Sequence, residues 1–396
     1  MKKYKYIIVG GGMTGSAAVK EIRKNDPEGS IAVFSKEHFK PYKRPPLTKG
    51  LWSGKKVDDI AMPVEKYAAS LFLDSEIVKI SPQSHEVVDN KGNAYQYEKC
   101  LLATGGNPIT LRNAPEGIIY YRTLADFETL KKLTETKSDF CIIGGGFIGS
   151  EIAVALNNHR KQVTLIFPEQ GISGVRFPDD LSEFLNDYYQ EKGVTIINQS
   201  LVEAIEKIGD KYYVHYKNVF DGSKSEGIFD AVIVGIGIRP DFHLAQDAGL
   251  QTGGGIIVNE YLQTSDPDIF AAGDVSYFPI DDLGISIRVE HEDHALSSGR
   301  VAGQNMTGAM EKYDHFPFFY SDLFDLGYEA IGILDKSLDI VEDWIVPFKK
   351  GTIFYLDEGK IRGLIFWGLW EKVDEGRKLI REGKTYQHSD LIGLFK

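Results

Sequence analysis

Short runs in which every residue is apolar recur along the chain, and several of them stop on glycine. Residues 6–9 lead into Gly10-Gly11-Gly12, and Ile142-Ile143 lead into Gly144-Gly145-Gly146. Residues 231–234 lead into Gly235-Ile236-Gly237, and residues 269–272 into Gly273-Asp274. A fully apolar run this short fits a parallel strand buried on both faces. After Gly12 the period lengthens to that of a helix, with Ala17, Ala18 and Ile22 on one face between about residues 14 and 24. Second strands are expected at residues 30–35 and 163–167, and a polar helix running through Lys132 precedes the second glycine cluster. From about Phe316 the character changes. Aromatic segments at 316–320, 351–355 and 364–370 alternate with turns such as Asp357-Glu358-Gly359, which reads as an antiparallel sheet, followed by a helix over 371–381.

The glycines carry the first chemistry. Gly10, Gly12 and Gly15 have G-x-G-x-x-G spacing, and so do Gly144, Gly146 and Gly149. In a strand–turn–helix the first glycine makes the tight turn, the second lets backbone approach a pyrophosphate, and the third lets helix pack on strand. One match is weak; two, each placed between a strand and a helix, argue for two dinucleotides on one protein. An α/β architecture follows, with two Rossmann-like dinucleotide-binding domains and a small α+β C-terminal domain built on an antiparallel sheet. The expected boundaries are 1–110 with 240–316, then 111–239, then 317–396.

An acidic residue at the end of the second strand of such a fold binds the ribose hydroxyls. In the first unit the candidate is Glu37, which reads either that way or as part of a solvated Lys36-Glu37 turn. In the second it is Glu169. A carboxylate there accepts from both ribose hydroxyls and repels a 2′-phosphate, which favours NADH over NADPH. Arg176, a loop later, is a candidate for the diphosphate. Residues 41–50 hold three prolines, a stiff non-helical loop that either aims Arg44 and Lys49 at an anionic cofactor or leaves them solvated.

Composition narrows the class. The 396 residues exceed one ordinary core. Lys and Arg number 45 against 57 Asp and Glu, a net charge of -12, which disfavours a generic nucleic-acid or anionic-membrane surface. The two cysteines, Cys100 and Cys141, lie in apolar runs with no close pair, so neither a disulfide framework nor an internal redox dithiol is expected. No apolar run approaches the ~20 residues of a spanning helix, and a cytoplasmic protein is the expectation. His291 and His294 are three residues apart, but no third ligand cluster accompanies them, so no metal is expected.

Together these stretches resemble the two-dinucleotide flavoprotein reductases, in the ferredoxin-reductase-like branch that includes apoptosis-inducing factor. The resemblance rests on residues 10–15, the Arg44-to-Lys49 loop, Ala103-Thr104-Gly105, residues 144–151, Ala272-Gly273-Asp274 and residues 288–294, and covers nearly the whole chain. It implies a glutathione-reductase-like arrangement with FAD in the first site, touched by Gly10, Gly12, Thr14, Gly15, Glu37, Arg44, Lys49, Val78, Ala103, Thr104, Gly105, Arg122, Asp274, Glu290, His291 and Tyr320. It implies NADH in the second, touched by Gly144, Gly146, Phe147, Ile148, Gly149, Glu151, Glu169, Arg176, Gly237 and Glu329. Lys49, Glu151 and His291 would serve the chemistry, with Lys49 and Glu151 as an ion pair near flavin N5 and Phe147 able to cover the flavin face. The chain departs from the family in three places: Lys36 stands at the usual ribose-binding acid, Tyr320 replaces a tryptophan, and the long C-terminal-domain insertion and mitochondrial presequence of vertebrate apoptosis-inducing factor are missing.

The activity this implies is hydride transfer from NADH to flavin N5, then electron delivery to a small iron–sulfur protein such as ferredoxin or rubredoxin, or to a quinone. The other reading is a slow-turnover, redox-responsive protein whose NADH-reduced state controls homodimer formation or partner binding.

Overall fold

Apolar strands cannot satisfy their backbone groups alone, so they pair edge to edge, and here the core strands do so in two largely parallel sheets. The structure, a computed structural model, describes residues 1–395. Its chain divides into two compact units. Met1–Pro45, Lys55–Asn107 and Arg239–Phe318 form the first; Pro46–Gly54, Pro108–Ile238 and the residues from Phe319 onward form the second. Three helices position the sites: α1 (Met13–Asn25), α2 (Phe147–Asn158) and α3 (Glu292–Met306).

In the first unit a seven-stranded sheet runs in the order Ala69–Phe72, Ile31–Phe34, Lys2–Val9, Ala94–Leu102, Glu86–Asp89, Ile77–Ser81, with Ile269–Ala271 also paired to Ala94–Leu102. The pairs around Lys2–Val9 are parallel, with Val9 level with Phe34 on one side and Leu102 on the other. Strands ending together bring the turns that follow them to one edge, where ligands of such sheets bind. α1 packs on α3 through small residues. A Cβ on Gly299 would strike the Thr14 carbonyl, and one on Gly303 would meet the Ala18 carbonyl at 2.6 Å.

The second unit holds a five-stranded parallel sheet in the order Thr195–Ile197, Gln162–Ile166, Asp139–Ile143, Ala231–Val234, Ile119–Tyr120. One face carries Cys141, Ile143, Ile166, Val232 and Val234, packed against Ile205, Tyr212, Val214 and Phe229 of an antiparallel three-stranded sheet. The second unit also contains a five-stranded antiparallel sheet in the order Phe318–Leu323, Leu326–Gly332, Lys360–Trp367, Lys350–Asp357, Asp339–Val346, followed by the helix Val373–Glu382. The C-terminal sheet therefore clusters with the second parallel sheet rather than as a compact unit of its own.

Candidate dinucleotide sites and a buried carboxylate

In the first unit Gly10 follows the central strand with φ +121°, and a Cβ there would strike the Ala103 carbonyl oxygen. Only glycine turns the chain at that point. Gly15 lies so close to the Gly10 carbonyl that a side chain has no room, whereas Gly12 faces open space. Gly12 is also the N-cap of α1, with no capping side chain and no acidic residue in the first turn, so the helix offers free N–H groups and the positive end of its dipole. Ala103 donates its N–H to Val9, and Gly105 has φ +69°. The Thr104 hydroxyl donates to the Asp241 carbonyl at 2.6 Å. Asp274 sits on the short turn Gly273–Val275 beside the start of α1.

Beyond the second strand, Glu37 is held by the proline-rich loop. Arg44 Nη2 donates to its Oε1 at 2.6 Å and the Tyr42 hydroxyl to its Oε2 at 2.7 Å. Lys36 points elsewhere, donating to Asn107 Oδ1 at 2.8 Å and lying 3.4 Å from Asp241 Oδ2. Glu37 is thus an oriented carboxylate with both oxygens engaged. Glu290 pairs with Arg288 at 2.7 Å, and the same guanidinium donates to the Asp274 carbonyl at 3.3 Å. His291 is the N-cap of α3. Val78 lies exposed on the outermost strand of the sheet. Three of the FAD candidates, Lys49, Arg122 and Tyr320, belong to the second unit.

The second glycine turn repeats the first. Gly144 has φ +111°, a Cβ on it would meet the Gly235 carbonyl oxygen at 2.5 Å, and a Cβ on Gly149 would strike the Gly144 carbonyl. Gly146 faces open space and caps α2 without a side chain, and α2 also lacks an acidic first turn. Phe147 opens that helix between two neighbours. The Arg176 guanidinium lies 5.1 Å from its ring centre and the Phe319 ring 4.9 Å. Arg176 is exposed, and its carbonyl accepts from the buried Tyr355 hydroxyl at 2.6 Å. Ile148 is exposed beside Phe147. Glu169 follows the strand Gln162–Ile166, and its carboxylate meets no cation among the described residues. Gly237, at φ +106°, accepts through its carbonyl from the Ile109 N–H. Glu329 accepts from the Glu371 N–H at 3.0 Å, and burial raises its carboxyl above the ordinary range.

One turn into α2, Glu151 is buried and surrounded by donors. Lys49 Nζ lies 2.6 Å from its Oε1, the Ser321 hydroxyl donates to the same oxygen at 2.5 Å, and the Thr48 hydroxyl donates to Oε2. Three donors compensate a carboxylate that burial alone would make costly. Lys49 is also 3.3 Å from Asp322 and lies 5.2 Å from the Tyr320 ring centre. The loop that presents it is pinned at Leu47, whose carbonyl accepts from Trp52 Nε1 at 2.8 Å and from the Tyr121 hydroxyl at 2.5 Å. The expected Lys49–Glu151 pair is present. Thr48, Ser321, Asp322 and the Tyr42 contact to Glu37 were not legible in the sequence. Their only signal is adjacency to Lys49, Tyr320 and Arg44.

Cys100 and Cys141 are buried free thiols, and burial pushes both far above the ordinary thiol range. Neither is a nucleophile at neutral pH. Among the described residues no three His, Cys, Asp or Glu side chains converge on a metal position, and no helix is long and apolar enough to cross a membrane.

Both glycine cradles therefore fit a dinucleotide diphosphate: backbone packed where a Cβ would fill the space, open room at the second glycine, and an uncapped helix end. Residues 4–299 match the model of the family described as pyridine nucleotide-disulphide oxidoreductase, and residues 302–347 match the C-terminal domain of mitochondrion-associated apoptosis-inducing factor. The chain is 32% identical to apoptosis-inducing factor 1, mitochondrial, of Dictyostelium discoideum, across 98% of this chain and 80% of that protein. It is also 32% identical to monodehydroascorbate reductase 1, peroxisomal, of Arabidopsis thaliana, across 99% and 96%. Among solved structures, the ferredoxin reductase for the CYP199A2 system of Rhodopseudomonas palustris superposes with a TM-score of 0.89 at 27% identity, covering 100% of this chain and 98% of that one.

Proposed function

The chain belongs to the pyridine nucleotide-disulphide oxidoreductase family and is an FAD-dependent NAD(P)H oxidoreductase, and from that premise we propose that it oxidises NADH and delivers the electrons to a small iron–sulfur protein. Bound FAD supplies acceptance of an electron pair from the nicotinamide and release of single electrons to such a carrier. Everything else is assigned to the chain's own residues. Gly10, Gly12 and Gly15 admit the FAD diphosphate to the N-terminus of α1, with Asp274 beside it and Glu37, held by Arg44 and Tyr42, for the ribose. Gly144, Gly146 and Gly149 do the same for NADH at α2, with Arg176 as the counter-charge to its diphosphate.

Glu169 carries the preference for NADH. A lone carboxylate accepts from two ribose hydroxyls but repels a 2′-phosphate that no nearby cation neutralises. Phe147 covers the nicotinamide position until NADH displaces it, excluding water from the reacting face. Lys49, held by Glu151, which Thr48 and Ser321 also anchor, is one oriented positive charge of the kind that would stabilise negative charge on a reduced flavin. His291 lies at the N-cap of α3, next to Glu290. The two buried thiols offer no dithiol relay between flavin and substrate, which favours an acceptor that takes electrons from the flavin itself.

The single supporting observation is the paired cradles in a chain without an accessible thiol. The test is anaerobic titration of the purified flavoprotein with NADH and NADPH, followed by turnover with a ferredoxin, a rubredoxin, a quinone and monodehydroascorbate. Fast turnover with an iron–sulfur protein supports the reading, and faster turnover with quinone or monodehydroascorbate overturns the acceptor. The match to the apoptosis-inducing-factor C-terminal domain favours one second reading, a redox-responsive binding protein. A stable, oxygen-resistant reduced complex with slow turnover on every acceptor would select it.

A further inference from the structure

Side chains of α3 reach both backbone groups of Gly273, whose carbonyl also accepts from the Ser276 hydroxyl at 2.9 Å and from the Ser276 N–H. Its N–H donates to Ser298 Oγ at 3.0 Å, and its carbonyl lies 3.2 Å from His294 Nε2. The carbonyl can only accept, so Nε2 carries the ring proton, which it shares with Ser276 Oγ at 3.2 Å. Nδ1 is then the acceptor, and the Tyr313 hydroxyl donates to it at 2.7 Å. The imidazole is 0% exposed and stacks on Phe278, with ring centres 4.4 Å apart. Burial lowers its pKa to about 4, against the opposing pull of Asp274 on the turn and Asp293 on α3, and with His315 pushing the same way as burial. The ring is therefore uncharged at neutral pH, with both nitrogens committed inside the protein. That arrangement suits neither a metal ligand nor a proton shuttle.

The turn it holds is wedged in place from the other side. Gly273 has φ +73°, and a Cβ there would strike Thr14 Oγ1 in the first turn of α1. Tyr313, His294, Gly273 and α1 thus form a continuous chain of contacts ending where the FAD diphosphate is proposed to bind.

We propose that His294 is a positioning residue for the flavin: by clamping Gly273 it fixes the Asp274 turn against the N-terminus of α1. The proposal rests on the FAD assignment of the first unit. His294 touches no cofactor in this scheme; it acts through the Gly273 carbonyl and, across the turn, through Asp274. Tyr313 acts one step further back, by selecting the tautomer that can donate.

The test is flavin release from the purified holoprotein, followed as the rise in flavin fluorescence on dilution, alongside the protein's melting temperature by circular dichroism. His294→Phe keeps a ring against Phe278 but removes the imidazole's hydrogen bonds, leaving the Gly273 carbonyl with the donors of Ser276 alone and the turn untied from α3 on that side. It should raise the FAD dissociation constant about tenfold or more. His294→Gln restores an N–H at the Nε2 position and should bring retention back to within about threefold of the parent. Tyr313→Phe, which leaves His294 in place, should raise the constant about threefold and carries the test if His294→Phe does not fold. Parent-like retention in His294→Phe, or in Tyr313→Phe where that variant stands in, overturns the inference. So does a failure of His294→Gln to rescue a folded His294→Phe. A parent protein that carries no flavin and takes none up overturns the FAD assignment itself, a different result.

Discussion

The two glycine turns share one backbone plan and sit in different surroundings. At Gly10 the start of α1 is enclosed: Thr14 is overlain by the Gly273 turn and by Gly299 of α3, and the facing carboxylate, Glu37, is tied down by Arg44 and Tyr42. At Gly144 the start of α2 is loosely dressed. Phe147 is only partly buried, Ile148 and Arg176 are exposed, and Glu169 has no cationic partner among the described residues. On the proposed reading, the packed surroundings suit FAD, which stays bound, and the more open ones suit NADH, which arrives and leaves at every turnover.

The largest test of that contrast is a pair of substitutions. Gly10→Ala forces a Cβ into the Ala103 carbonyl at φ +121° and should abolish flavin content in the purified protein. Gly144→Ala is strained in the same way at φ +111°, yet should leave flavin in place and abolish its reduction by NADH. Loss of flavin from both would erase the distinction.

Next is the buried carboxylate of the open unit. Lys49→Met removes one of the donors to Glu151 and should destabilise the protein by about 3–5 kcal/mol in chemical denaturation, because an uncompensated charge is left buried. Glu151→Gln should cost less, since one hydroxyl can still donate to the amide oxygen, the other can accept from the NH2 group, and Lys49 keeps Asp322. A neutral result for Lys49→Met would move the pair to the solvated surface.

Acid separates the units in another way. His294 has its imidazole lowered to about 4 in the folded first unit, against ~6.5 in an unfolded chain, so between those values the unfolded state binds the extra proton. Its contribution is intact above pH 6.5 and is lost as pH falls toward 4, on the order of 3 kcal/mol in full. In the second unit burial raises the carboxyls of Glu329 and Glu342, which add stability as pH falls toward the ordinary carboxylate range. Of the lowered carboxyls there, Asp230 and Asp325 are held at about 2 and lose their contribution only at lower pH. Hydrogen exchange at pH 4.5 should therefore show the first unit opening before the second, and His294→Phe should narrow the gap.

The smallest effects belong to the open cradle. Phe147→Ala should change the rate of flavin reduction by NADH several-fold with flavin retention unchanged. Glu169→Gln should shift the ratio of kcat/KM for NADH over NADPH toward NADPH by about tenfold, near 1.4 kcal/mol. Equal loss of flavin and of reduction rate in Phe147→Ala would show that its ring is part of the packing and not a cover.

The regular part of this molecule could be read from its residues. Fully apolar runs ending in glycine mark the core strands, because both the burial and the turn leave a compositional trace. The strands Ser200–Ile208, Lys211–Asn218 and Lys224–Phe229 leave almost none. Only one face of that sheet is covered, and its charged residues alternate with apolar ones in a manner that a surface loop shares. At the sites, Lys49 and Glu151 were expected as a pair because the family resemblance places them so, not because their spacing in the chain shows it. Ser321, Thr48 and Tyr313 were not, since a hydroxyl gives no sign of its partner until the fold supplies one. The sequence sets His294 aside as a metal ligand, but its partners inside the fold leave no trace there.

The segment Pro46–Gly54 interrupts the first unit and belongs to the second, where Trp52 packs against Phe127 and His159 and Lys49 reaches Glu151. The second unit is consequently not a cassette. A gene fragment beginning at Pro108 would omit Lys49 and the Leu47 carbonyl that receives Tyr121, and would leave a vacancy where the indole belongs. A second unit expressed on its own would need Pro46–Gly54 joined to it to keep these contacts.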